Sequence, residues 1–116
     1  MNPIAELNDR FRARAGLPIL GRPDVPGIVV MTRDIASLPP AAHLAIWAKI
    51  RKFSDFGEDN DPWEERDFGV FKLGDLGKLF WKIDYYADET MHEGAEAPDD
   101  PERSFRVLTV MFADEW

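Results

Sequence analysis

The stretch "DFGVFKLGDLGKLFWKIDYY", Asp67 to Tyr86, decides the fold: two apolar-rich, β-branched and aromatic runs flank Gly74-Asp75-Leu76-Gly77, the pattern of an antiparallel hairpin. With those four residues as the loop, Leu73 faces Lys78, Val70 faces Trp81 and Gly69 faces Lys82. One face of the hairpin then carries Phe68, Val70, Leu79, Trp81, Ile83 and Tyr85, an apolar surface fit for covering by helices. The other carries Phe71, Phe80, Lys82, Asp84 and Tyr86, which is aromatic and charged together, so it is only half suited to water.

Working outward, the closing run "SFRVLTVMFADEW" (Ser104–Trp116) is apolar at both alternating sets of positions, as expected for a strand inside the sheet. "IVVMT" (Ile28–Thr32) is a dense β-branched run and the first expected strand. Pro3 opens a first helix with Ile4, Leu7 and Phe11 as its buried stripe and Gly16 ending it. Leu17 to Gly27 is proline-rich and irregular. A long second helix follows Ser37, with Pro39 or Pro40 in its first turn. It runs to about Phe56 and turns Ala42, Ile46, Ile50 and Phe53 to one face, with Gly57 as a left-handed stop. The order α-β-α-β-β-β implies an α+β fold, a mostly antiparallel four-stranded sheet backed by two helices, in one domain over residues 1–116. Residues 1–26 contribute the first helix and the irregular connection, and 27–116 the core.

Charge is unevenly placed. The net charge is −8, with no cysteine. Residues 1–54 hold eight bases and four acids, and residues 55–116 hold six bases and eighteen acids. The acids cluster in "GEDNDPWEERDFG" (Gly57–Gly69) and in Ala87–Glu102, which is expected to be a long loop. Such a balance argues against binding free nucleic acid through a phosphate-binding surface and favours a basic protein partner. No stretch approaches the ~20 apolar residues of a membrane span and the N-terminus lacks a signal-peptide run, so a cytoplasmic setting is expected.

Motifs of known chemistry fail on spacing. An EF-hand read from Asp59 places Pro62 and Trp63 fourth and fifth and Glu64 where the turn glycine belongs. No Glu-x-Lys occurs for restriction-type nuclease chemistry, and "GDLGK" (Gly74–Lys78) lacks the spacing and the hydroxyl of a phosphate loop. His43 and His92 read as exposed, and neither lies in sequence near a serine that it is placed to activate. A looser Mg²⁺ or Ca²⁺ site on Glu58, Asp59, Asp61 and Asp67 or Asp84 stays open, but no cofactor is expected. Trp63 and Trp116 either anchor a partner or fold back on the nearest apolar surface, and Asn60 to Pro62 shape a turn between helix and strand.

"SLPP", "FSDFGEDNDPWEERDFGVF", "FWKIDYY" and "RVLTVMFADEW" together resemble a family of small bacterial proteins known only as a domain of unknown function and often carried on plasmids and other mobile elements. The resemblance covers about residues 27–116. Asp59, Asn60, Asp61, Pro62, Asp67, Phe68 and Gly69 keep the family pattern, whereas Glu64 stands where a glycine, and Arg66 where a histidine, is common. The second departure weakens any reading that needs a histidine base or ligand there. The setting implied by the resemblance includes acidic inhibitors of host defence, of anti-restriction or anti-CRISPR type, whose carboxylates imitate nucleic-acid phosphates.

The leading expectation is therefore a non-enzymatic interaction protein that blocks a basic nucleic-acid-handling protein, such as a nuclease or CRISPR-Cas component. Its expected contacts are Glu58, Asp59, Asp61, Trp63, Glu64, Glu65, Phe71, Phe80, Asp84 and Tyr86. The alternative is a carboxylate-based divalent-metal enzyme or sensor. A homodimer pairing the Phe71, Phe80 and Tyr86 face is a third possibility, and the oligomeric state stays open.

Overall fold

The computed structural model describes residues 2–116. Helix α1 (Pro3–Arg12) opens with the Asn2 side chain accepting the Ile4 N–H at 2.8 Å and proline in the first turn, where a missing N–H costs nothing. It buries Leu7 and Phe11 as expected, and with them the polar Asn8 and Arg12. Gly16 takes a φ of 75°, and a side chain there would lie 2.7 Å from Cβ of Trp47. Strand β1 (Gly27–Met31) is followed by a short helix α2 (Arg33–Ala36) and then α3 (Pro40–Lys52), whose Ile46 and Ile50 are fully buried.

Helix α3 ends at Lys52, and Gly57 is not left-handed, both contrary to expectation. The reason is a cap supplied from α1. Arg12 donates Nη1 to the carbonyls of Ile50 (2.7 Å) and Phe53 (2.8 Å), a cation at the negative end of the helix. Phe53 then leaves the helix in an extended conformation, and its ring packs edge-on against Phe56 and Trp81, with centroids 5.0 and 5.5 Å away. The Arg12 guanidinium lies over the Phe56 and Trp81 rings, and burial lowers its pKa below the ordinary value, with Asp9 opposing.

Strands β2 (Phe68–Lys72), β3 (Lys78–Tyr86) and β4 (Phe105–Phe112) complete a four-stranded sheet in the order β1-β4-β3-β2. Helices and four strands in one chain bear out the α+β class, although three α-helices among the described residues, the short α2 included, replace the two expected. The sheet, however, is mixed: β2, β3 and β4 pair antiparallel, but β1 pairs parallel to β4, Gly27 opposite Arg106 through Met31 opposite Val110. Chain direction forces this. The α2–α3 crossover returns the chain so that β2 runs like β1; two further reversals make β4 run the same way, and it lies beside β1.

The hairpin register also differs by one residue from the expected one. Lys72 faces Lys78, Phe71 faces Leu79 and Gly69 faces Trp81. The connection spends five residues, Leu73–Gly77, around a 3₁₀ turn (Gly74–Leu76) closed by Leu73 N–H to the Gly77 carbonyl at 3.0 Å. Because side chains alternate, one residue of slip exchanges the faces of β2. Gly69 and Phe71 point to the helices with Leu79, Trp81, Ile83, Leu108 and Val110. The opposite face carries Phe68, Val70, Phe80, Lys82, Asp84, Tyr86, Val107 and Met111, with Ile28 and Val30 from β1.

Helices α1 and α3 supply Leu7, Phe11, Ile46 and Ile50 to a core whose centre is the fully buried Trp81. A second turn of 3₁₀ helix (Ala113–Glu115) lays Trp116 across the uncovered face, where its ring meets Phe68 and Phe80 with centroids at 5.0 and 5.8 Å.

Candidate functional site

The acidic stretch between α3 and β2 is an ordered loop with its own hydrogen bonds. Gly57 N–H donates to Asn60 Oδ1 (2.8 Å), Asn60 Nδ2 donates to the Asp55 carbonyl (2.9 Å), and Asp61 N–H returns to the Gly57 carbonyl (2.7 Å). This is the turn expected at Asn60 to Pro62. Asp61 is buried, and its Oδ1 accepts the Arg66 N–H at 2.9 Å. It holds the loop closed from inside, so it offers no carboxylate to a partner, and its placement among contact residues is corrected.

Between those two residues the chain bends through left-handed conformations at Glu64 (φ 57°) and Arg66 (φ 56°). The bend turns Trp63 outward, 78% exposed, with Glu64 exposed and Glu65 half-buried beside it. Trp63 therefore does not fold back on the core. Glu58 and Asp59 are exposed as well. Arg66 turns inward: its Nη1 meets Asp9 Oδ2 at 2.8 Å and its guanidinium lies over Phe56. A cleft of about 770 Å³ opens between this loop and the start of α1, with Phe56, Glu58, Asp61, Glu64 and Arg66 among its walls.

The second acidic segment meets the first on one strand. The Asp67 carbonyl accepts the Ile83 N–H (2.8 Å), and two residues along β3 the Tyr85 carbonyl accepts the Ala95 N–H (3.1 Å), while Tyr86 bridges Gly94. The two loops thus lie side by side along β3, about 7 Å apart at the backbone. They are also tied through one buried polar cluster. Asn8 Nδ2 donates to the Glu65 carbonyl (3.0 Å) and to Tyr85 Oη (2.7 Å), and its Oδ1 accepts from Arg106 Nε (2.6 Å). Arg106 in turn donates to Ser104 Oγ (3.0 Å) and to the Pro98 carbonyl (2.5 Å). Sequence reading missed this cluster. Its signal is parity, since Arg106 shares the inward set of β4 with Leu108 and Val110.

Charge crowding is felt at Asp67, whose carboxyl is pushed above the ordinary range by burial first, then by Glu65, Asp61 and Asp84. Beside it, Asp59, Asp67, Phe68, Lys82, Asp84 and Trp116 border a shallow cleft of about 250 Å³. Asp84 pairs with Lys82 at 2.9 Å on the uncovered face, and Phe80 and Tyr86 are half-buried there. Phe71 lies on the other side, in the core, 8% exposed, so the hairpin slip removes it from the contact set. Among the described residues no three acidic or histidine side chains converge closely enough to hold a metal ion, and no helix is long and apolar enough to cross a membrane.

The profile of "Protein of unknown function (DUF3768)" matches residues 31–115, that is, from the end of β1 through the last 3₁₀ turn. The chain belongs to the DUF3768 family. The match spans the acidic loop, the hairpin and β4, the segments whose residues carry the resemblance seen in the sequence, whereas α1 lies outside it. No curated protein and no solved structure matches the chain. For this DUF3768 member, what the site does rests on its geometry. It presents exposed carboxylates and one exposed indole on a loop braced from beneath by Asp61, Asn60, Asn8 and Arg106.

Proposed function

We propose that this DUF3768 protein is a small acidic interaction protein that occupies the basic groove of a nucleic-acid-handling partner, as an inhibitor of the anti-restriction or anti-CRISPR kind would, and that it does so without catalysis. The observation that carries the reading is the docking of both acidic segments side by side on β3, through Asp67 and Ala95. Carboxylates held on a fixed scaffold can replace phosphates against Lys and Arg, and the opposed charge speeds encounter.

The contacts assigned to this role are Glu58, Asp59, Glu64 and Glu65 around Trp63, with Asp84, Tyr86 and Phe80 at the adjoining border and the 88–102 loop as a second acidic bank. Trp63 supplies the apolar anchor that charge alone lacks. The side chains of Glu58, Asp59 and Glu64 are exposed and make no hydrogen bond or ion pair among the described residues, so neutralising them leaves the scaffold standing.

The test is affinity capture from a bacterial lysate at about 50 mM and about 500 mM salt, with the native protein beside the E58Q/D59N/E64Q/E65Q and W63A variants. Basic nucleic-acid-binding proteins retained by the native chain, lost at high salt and lost from the quadruple variant are the expected result. Recovery of partners no more basic than background, or equal recovery by the variants, overturns the proposal.

A further inference from the structure

Strand β2 is an edge of the sheet, since the order β1-β4-β3-β2 gives it β3 on one side and no strand on the other. Which of its backbone groups face outward follows from the ladder. Ile83 N–H donates to the Asp67 carbonyl (2.8 Å) at one end of β2, and Leu73 N–H to the Gly77 carbonyl (3.0 Å) at the other. Antiparallel pairing alternates, so Gly69 and Phe71 between them also bond to β3, while Phe68, Val70 and Lys72 turn their N–H and C=O groups away from it. Among the described residues no backbone group pairs with those outward ones.

A groove of about 620 Å³ runs along this edge between β2 and α3. Val70 and Phe71 point to opposite faces of the sheet yet both line it, and no residue of β3 does, so it opens on the unpaired side of β2. Ala45, Ala48, Phe53 and Leu73 make its walls apolar. Lys49 and Lys52 stand at its rim, both exposed, against the carboxylate of Asp55. Lys72 follows on the edge itself, with Lys78 opposite, and none of these lysines is in an ion pair among the described residues. The chain as a whole carries −8, but charges are screened over about 8 Å at physiological salt, so a segment lying on this edge meets the lysines first.

We propose that the β2 edge takes up an extended acidic peptide of a partner protein as a fifth strand. The backbone of the peptide pairs with Phe68, Val70 and Lys72, its apolar side chains on the helix side enter the groove, and its carboxylates meet Lys49, Lys52 and Lys72. Main-chain bonds give such strand addition its affinity, and the pockets for alternate side chains give it choice. Lysine on an edge discourages pairing with like strands, and the same charge selects an acidic one. None of these residues is among the contacts assigned to the acidic loops, so this surface is a second one with the opposite charge preference.

The test is fluorescence anisotropy of a labelled, capped peptide of about nine residues, alternating Glu or Asp with Val or Ile, titrated with the full chain at about 150 mM salt. Saturable binding of one peptide per chain is expected, with a peptide carrying Lys at the acidic positions weaker by about tenfold or more. K49E/K52E is expected to weaken binding of the acidic peptide by about tenfold or more. Val70→Pro is expected to weaken it as much with an unchanged circular dichroism spectrum, because the N–H it removes faces outward and takes no part in the β3 ladder. In the native chain, bound peptide is expected to slow hydrogen exchange at the Phe68, Val70 and Lys72 amides. Absence of saturable binding up to about 1 mM, equal binding of the lysine peptide, full binding by either variant, or unchanged exchange at those amides overturns the proposal. A native chain that dimerises, and loses its dimer with Val70→Pro, gives the edge to a second copy and overturns it too. The acidic loops are unaltered throughout, so this outcome and that of the lysate capture are separate results.

Discussion

Arg106, fully buried in β4, donates Nε to Oδ1 of Asn8 in α1 at 2.6 Å and so joins the last strand to the first helix. Among the described residues no carboxylate pairs with the guanidinium. Its charge is held by Asn8, Ser104 Oγ, the Pro98 carbonyl and the face of the Tyr85 ring, 5.0 Å from the centroid. Burial lowers the Arg106 pKa below its ordinary value, with Tyr85 and Glu65 opposing, and the same burial raises that of Tyr85. Both acidic loops are anchored here.

Removing one partner of a buried charge leaves the other without solvation. Asn8→Ala is accordingly expected to destabilise the protein by about 3 kcal/mol, since it strips a charge-assisted bond from Arg106 and the partners of Tyr85 and Glu65. The Asn8→Leu, Arg106→Met double variant is expected to lose less than the two single changes added together, because it removes the buried charge along with its acceptor. Urea unfolding of the native chain, Asn8→Ala, Asn8→Leu, Arg106→Met and the double variant checks this; strict additivity would show that the cluster does not act as a unit.

Gly69 reports the hairpin register directly. A methyl at this position would lie 2.6 Å from Cε2 of Trp81 and 2.8 Å from Phe53 Cε1. Gly69→Ala is therefore expected to cost about 2 kcal/mol, the overpacking penalty less the backbone entropy that alanine saves. In the register with a four-residue loop the same glycine faces Lys82 on the open side, and alanine would be neutral or stabilising. Thermal unfolding of this one variant separates the two registers.

That comparison shows what the residues disclose and what they hide. The hairpin was legible in its glycines and aromatic runs, and so were β1, β4 and α1, because each rests on local periodicity and turn chemistry. The register was not, because Leu73 joins the loop only when the Gly74–Leu76 turn is 3₁₀. Neither was the early end of α3, since its cap comes from Arg12, 38 residues before Ile50. The parallel pairing of β1 was available in principle from counting reversals after the α3 crossover. In the site, the exposed acids were readable from composition, but the exposure of Trp63 was not, since an indole beside acids can equally fold back on the nearest apolar surface, as Trp116 does on Phe68 and Phe80. The internal duty of Asp61 was not, because an aspartate that caps a loop and one that meets a partner look alike until Arg66 N–H is placed beside it.

Glu64 and Asp61 separate a loop's construction from its use. Glu64 has a φ of 57°, a conformation that costs an L-residue about 1 kcal/mol and glycine almost nothing. Glu64→Gly is expected to stabilise the protein by about 0.5 kcal/mol, the released strain being partly offset by glycine's greater freedom when unfolded. Asp61→Ala is expected to destabilise it by about 2 kcal/mol, leaving Arg66 N–H without its acceptor, while Asp61→Asn keeps an oxygen there and most of the stability. Differential scanning calorimetry gives all three, and an Asp61→Ala protein as stable as the native one would remove the buried carboxylate from the loop's support.

Asp67 makes stability depend on pH in the direction opposite to a salt-bridged carboxylate. Its folded pKa is raised above the ordinary 3.8, chiefly by burial and then by Glu65, Asp61 and Asp84. The folded state therefore holds the Asp67 proton more tightly than the unfolded state does. Between the ordinary value and the raised one the folded chain binds more protons, so this group's contribution to stability falls as pH rises through that window; above it the full penalty of the buried anion applies. Asp67→Asn removes the penalty. It is expected to raise the midpoint of thermal unfolding at pH 7, with the advantage shrinking as pH falls through the raised pKa and vanishing below about pH 3.5, where the native carboxyl is protonated in both states. Unfolding midpoints of the two proteins at half-unit steps from pH 3 to 8 provide the measurement, and an advantage that stays constant with pH would mean that packing, not the charge on Asp67, sets the difference.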